Sequence, residues 1–79
     1  QRSVRGEPVD RPLMDALSSR ELEVFELIGR GLSTSQIAHR LHRSVKTIET
    51  HRANIKVKLN LASGSQLTCR AVQWVLENS

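Results

Sequence analysis

Aromatic side chains are nearly absent from this 79-residue chain: Phe25 and Trp74 stand alone, and tyrosine does not occur. Binders of single strands stack successive bases on several aromatic faces, so that mode is excluded. Only one cysteine is present, Cys69. It cannot make an internal disulfide, and nothing points to an oxidising compartment. No apolar run approaches the roughly 18 residues of a membrane span. No acid pair, catalytic triad or phosphate-cradling glycine loop is visible, so an enzymatic reading has no support. Nothing calls for a cofactor. His39 and His42 stand three apart with His51 further on, but the paired ligand motifs of a zinc site are missing. The first residue is Gln1 and no signal peptide leads, which fits a piece of a longer protein.

The chain does have an uneven charge distribution. Residues 1–32 carry five arginines and six acids, a net −1. Residues 33–79 carry seven basic side chains against Glu49 and Glu77, a net +5. A localised basic region is the electrostatic footprint of a nucleic-acid binder. A solubilising surface is the plain alternative. The apolar share of 38% suits a small helical core rather than a disordered chain.

Residues 1–16 hold both prolines, Gly6 and mixed charges without a period. They read as a linker from an upstream regulatory domain, with Val9, Leu13 and Met14 able to pack on the domain edge. Helix-start signals then recur. Ser18-Ser19-Arg20-Glu21 is a capping box, with Leu17 and Leu22 at hydrophobic-staple positions. The first helix runs to about Arg30, and Gly31 fits the left-handed position that ends helices. Ser33-Thr34-Ser35-Gln36 repeats the device with Leu32 and Ile37 as the staple. A short helix from about Thr34 to Leu41 follows, then a turn, His42-Arg43-Ser44. Ser44 caps a third helix, about Val45 to Leu59, and Ser63-Gly64-Ser65-Gln66 caps a fourth, to about Glu77. No segment alternates like a strand. The expectation is an all-α, compact four-helix domain over residues 17–79 containing a helix-turn-helix.

On the third helix, Ile48, Ile55 and Leu59 fall within about 40° of one another and form the buried stripe. Lys46, Glu49, Thr50, Ala53 and Lys56 occupy a broad opposing arc. Each type has a use in a major groove. Lys46 and Lys56 can neutralise phosphates or donate to guanine, and Glu49 can accept from cytosine N4. Thr50 can donate, accept, or set its methyl against a thymine methyl. Ala53 lets the backbone approach closely, while Thr47 and Arg52 flank the arc. On the fourth helix, Leu67, Ala71, Trp74 and Val75 make one apolar side. Cys69, Val72 and Leu76 make a second, more than a surface helix needs. That second side is expected to pair two copies. Cys69 has no activating partner and reads as a small apolar or interface residue.

The run from Leu17 to about Val75 resembles the LuxR/FixJ-type DNA-binding domain of bacterial transcription regulators. The matching features are Leu17-Ser18-x-Arg20-Glu21, Gly31-Leu32-Ser33, Ile37-Ala38, Ser44-x-Lys46-Thr47-Ile48, His51-Arg52, Asn54-Ile55 and Lys58-Leu59. The resemblance implies a recognition helix at about 45–59 in the major groove of double-stranded DNA and a homodimer through the fourth helix. It also implies an upstream receiver or ligand-binding domain and a cytoplasmic, nucleoid-bound place. Glu49, Thr50 and Ala53 fall where base-edge contacts are expected. Lys46, Thr47 and Arg52 fall at backbone or boundary positions; separately, the start of the second helix, with Thr34 and Ser35, is expected to brace against phosphates, and Arg43 to add charge there. Two residues depart from the family pattern. His42 stands where glycine is usual in the turn, and Arg43 where an aliphatic residue is usual. A sigma-factor promoter domain shares the helix pair but not the separately capped fourth helix. A helical interaction module that binds no DNA is the remaining alternative.

Overall fold

The computed structural model describes residues 16–78, and four helices account for its regular structure. They are α1 (Ser19–Gly29), α2 (Thr34–Leu41), α3 (Val45–Lys58) and α4 (Gly64–Asn78). The described residues contain no strand. The fold is all-α, as expected, with helix ends within a residue or so of the predicted ones. Apart from Ala16, the expected linker lies outside the described residues, as do Val9, Leu13 and Met14.

The helix starts follow from side-chain chemistry at single serines. Ser18 Oγ accepts the Glu21 N–H at 3.2 Å, and Glu21 Oε1 accepts the Ser18 N–H at 3.0 Å. Ser33 and Gln36 repeat the exchange at 3.2 and 2.8 Å. Each exchange satisfies two backbone donors that a helix start leaves unpaired. Ser44 Oγ accepts the Thr47 N–H at 3.1 Å. Ser63 Oγ accepts the Gln66 N–H at 3.2 Å, while Gln66 reaches back to the Ala62 N–H at 2.8 Å.

Backbone handedness marks the ends. Gly31 has φ 95°, which glycine adopts without a steric penalty. His42 closes α2 at φ 56° and ψ 46°. The turn therefore uses the left-handed conformation where glycine is usual, and histidine bears a cost of roughly 1–2 kcal/mol. The Arg43 N–H returns to the Ala38 carbonyl at 2.9 Å and closes the turn. Arg43 itself is exposed. Asn60, at φ 58°, does the same service after α3; asparagine is among the residues that tolerate this region best.

The core is built from one face of each helix. Val24, Phe25, Ile37, Ile48, Ile55, Leu67 and Ala71 are fully buried, with Leu17, Ile28 and Ala38 nearly so. Phe25 and Trp74 tilt against each other with ring centres 5.7 Å apart. Leu22, Leu27, Leu32, Leu41, Leu59 and Leu61 close the rim.

Gly29 sets how closely α1 and α4 approach. A Cβ there would stand 2.6 Å from Val75 Cγ2 and well inside contact distance of the Ala71 carbonyl oxygen. The obstacle includes backbone, so α4 must move rather than rotate a side chain. Gly29→Ala is expected to destabilise the domain by about 1–3 kcal/mol, because overpacking outweighs the gain in helix propensity. Urea denaturation measures it; an unchanged or raised midpoint would show that the helices sit further apart than described.

Candidate nucleic-acid interface

Three interactions hold α3 at a defined height and rotation. Ser44 starts it, and its hydroxyl also lies 2.9 Å from Thr47 Oγ1. Ile48 and Ile55 have no exposed surface, so the side they occupy faces the core. At the far end, Lys58 Nζ donates to Glu21 Oε1 at 2.6 Å. This last contact joins the start of α1 to the end of α3, 37 residues apart.

Glu21 is 5% exposed, the one buried charged residue among those described. Burial alone pushes its carboxyl up. The Lys58 ammonium and the Ser18 N–H and hydroxyl outweigh that and hold it below the usual carboxylate range. Lys58 is therefore tied to the protein's own acid rather than free for a ligand.

With the isoleucines inside, the opposite side of α3 is outside. Lys46, Glu49, Thr50 and Ala53 are all exposed, while Lys56 and Arg52 are half-buried. Arg52 lies toward the start of α4: a Cβ on Gly64 would be 3.4 Å from Arg52 Nη2. Thr47 is half-buried with its hydroxyl against Ser44. Ser35 and Arg43 are exposed and Thr34 is half-buried, at the start of α2 and in the turn beside α3. Lys46, Glu49, Thr50 and Ala53 thus share the outward side of α3, while Thr47 and Arg52 lie on its two flanks.

Two exposed residues of this side were missed by the sequence reading, Asn54 and Val57. Val57 is 80% exposed. The signal was available, since position 57 follows position 50 by two helical turns. An exposed valine carries neither charge nor a hydrogen-bonding group to mark it as a contact residue.

The charges are sorted to match. On α1, Arg20 pairs with Glu23 at 2.8 Å and Arg30 with Glu26 at 2.9 Å. Among the described residues no carboxylate pairs with Arg40, Arg43, Lys46, Arg52 or Lys56. Among the described residues most of the positive charge without a carboxylate partner therefore lies on α2, the turn and α3, with Arg70 on α4 besides. His51 is half-buried, and its Nδ1 has no hydrogen-bond partner among the described residues. No group of three described His, Cys, Asp or Glu side chains is placed to hold a metal ion.

The sequence profile described as "Bacterial regulatory proteins, luxR family" matches residues 15–71, most of the chain and the whole helix-turn-helix. The chain belongs to the LuxR family of bacterial regulatory proteins. The coarse role of a LuxR-type helix-turn-helix domain comes with membership, DNA binding in transcription regulation. Relatives are the oxygen regulatory proteins NreC of staphylococci. That of Staphylococcus carnosus (strain TM300) is 49% identical over 51 residues, 65% of this chain and 24% of that protein. That of Staphylococcus epidermidis (strain ATCC 12228 / FDA PCI 1200) is also 49% identical over 51 residues, 65% of this chain and 23% of that protein. That of Staphylococcus aureus (strain JH9) is 47% identical over 51 residues, 65% of this chain and 24% of that protein. The chain therefore spans about a quarter of the length of these relatives. No solved structure matches it. No described helix is long and apolar enough to cross a membrane.

The Glu21–Lys58 pair gives this LuxR-type domain a defined acid response. A carboxyl whose native pKa is depressed stabilises the fold fully above its unfolded value, about pH 4.3. That contribution drains as pH falls through the native value. Lys58→Met leaves the buried carboxylate without its cation and is expected to cost about 1–3 kcal/mol at neutral pH. The loss should shrink as the solution is acidified below that window. Thermal melts of both chains from pH 7 to pH 2.5 measure it; a deficit that stays constant through acid would contradict the depressed pKa.

Proposed function

We propose that this domain binds duplex DNA sequence-specifically as the output module of a bacterial transcription regulator, with α3 lying in the major groove. The observation that carries the reading is the outward arc of α3, where Lys46, Glu49, Thr50 and Ala53 are exposed opposite the buried Ile48 and Ile55. An α-helix fits the major groove, and these four side chains span the kinds of contact made there. Glu49, Thr50 and Ala53 meet base edges. Lys46 and Lys56 neutralise phosphates, with Thr47 and Arg52 at the groove boundary. The start of α2, with Thr34 and Ser35, turns backbone donors toward a phosphate, and Arg43 adds charge from the turn.

The chain works as a homodimer on DNA in this reading. On α4, Leu67 and Ala71 are buried, while Cys69, Val72 and Leu76 are exposed on another side, Leu76 to 73%. Two copies paired through that side would read two half-sites. A single copy offers few phosphate contacts and binds weakly. A regulatory domain upstream of residue 17, a receiver as in response regulators, would pair or release the domains. Pairing raises affinity through effective concentration without a new DNA contact. The named function of the NreC relatives, oxygen regulation, supports a signalling setting of this kind.

Fluorescence anisotropy against labelled duplexes over a range of salt tests the docking. Lys46→Ala should weaken binding to every sequence alike and flatten the dependence of log affinity on log salt by about one unit. Unchanged affinity and slope would place Lys46 away from the phosphates and contradict the orientation.

A further inference from the structure

The side of α3 that faces outward is lined by methyl groups as well as by charge. Thr50 Oγ1 donates to the Lys46 carbonyl oxygen at 3.1 Å. Its one proton is committed to its own helix, and the oxygen is held back against the backbone. The other heavy branch of this exposed side chain is the Cγ2 methyl. Val57 follows two turns later, only about 20° from Thr50 around the axis. It is the most exposed large apolar side chain among the described residues, at 80%. A lone exposed valine ordinarily needs no explanation. This one lies with Lys46, Thr50 and Ala53 in a sector about 60° wide, opposite the buried isoleucines. Ala53, between Thr50 and Val57, ends in a methyl too.

The apolar feature that a base edge offers in the major groove is the C5 methyl of thymine. We propose that α3 reads thymine through that methyl, with Thr50 Cγ2 and Val57 as the contacting groups and Ala53 leaving room for their approach. This deepens the groove-docking reading and rests on it. It makes Val57 a specificity-determining residue and makes Thr50 a methyl reader rather than a hydrogen-bond reader. Thr50 and Val57 are about 10.5 Å apart along the helix, the length of about three base-pair steps. The two thymines they read therefore belong to one half-site.

The test begins by selecting preferred duplexes from a random pool with the chain as it stands. Each thymine of the preferred site is then replaced by deoxyuridine, which removes the C5 methyl and keeps the base pairing. Two positions per half-site should each lose roughly fourfold in affinity, the value of one buried methyl. Thr50→Val should preserve the uracil penalty at the first position and Thr50→Ser should abolish it. Val57→Ala should reduce the penalty at the second. A preferred duplex indifferent to uracil would sink methyl reading alone, as would a penalty that survives Thr50→Ser and vanishes with Thr50→Val. If no preferred duplex emerges, the groove-docking reading fails and this proposal falls with it.

Discussion

Burial of two isoleucines fixes the rotation of the helix on which the function turns. Ile48 and Ile55 are seven residues apart, two turns of one helix, and neither has exposed surface. Rolling α3 by even a quarter turn would bring them into water and push charged neighbours inside. Burying an isoleucine is worth about 1.5–3 kcal/mol, while burying Lys46 or Glu49 unpaired would cost more than that recovers. The outward arc is therefore the complement of the core. Its identity as a surface is decided by apolar packing, and its chemistry is left free to vary with the DNA it meets.

The electrostatics complete this division. The acids of α1 are used up within the domain, Glu23 and Glu26 on neighbouring arginines and Glu21 on Lys58. The exposed pairs contribute little to stability, but they keep negative charge from opposing a phosphate backbone. Glu21 is different because it is buried and serves two elements at once. It caps α1 through Ser18 and anchors the end of α3 through Lys58. One side chain thus links the start of α1 to the end of the helix proposed to meet the DNA.

Much of this was legible in the residue order. The four serine caps at Ser18, Ser33, Ser44 and Ser63 were visible because a cap is a local device, set by residues three apart. The glycine usual in the turn of LuxR-type domains marked position 42 as unusual, and its left-handed backbone accounts for that preference. The buried stripe of α3 followed from periodicity. What escaped was nonlocal. Glu21 looked like a capping residue, and nothing nearby in sequence announced its tie to Lys58. Nothing local in the sequence distinguishes Gly29, whose role depends on Ala71 and Val75 packing against it from α4. Lys56 sat at the edge of the outward arc by angle and Arg52 beside the buried stripe, and both are half-buried because α3 lies among its neighbours rather than alone in solvent. Val57 had the right angle and was passed over for its chemistry.

The orientation of α3 is most directly tested by following NMR resonances of the chain as duplex DNA is added. Shifts should concentrate at Lys46, Glu49, Thr50 and Ala53, with weaker changes at Ser35 and Arg43 and with the methyls of Ile48 and Ile55 nearly still. Shifts gathered on α1 or on the outer side of α4, with the arc of α3 silent, would contradict the account.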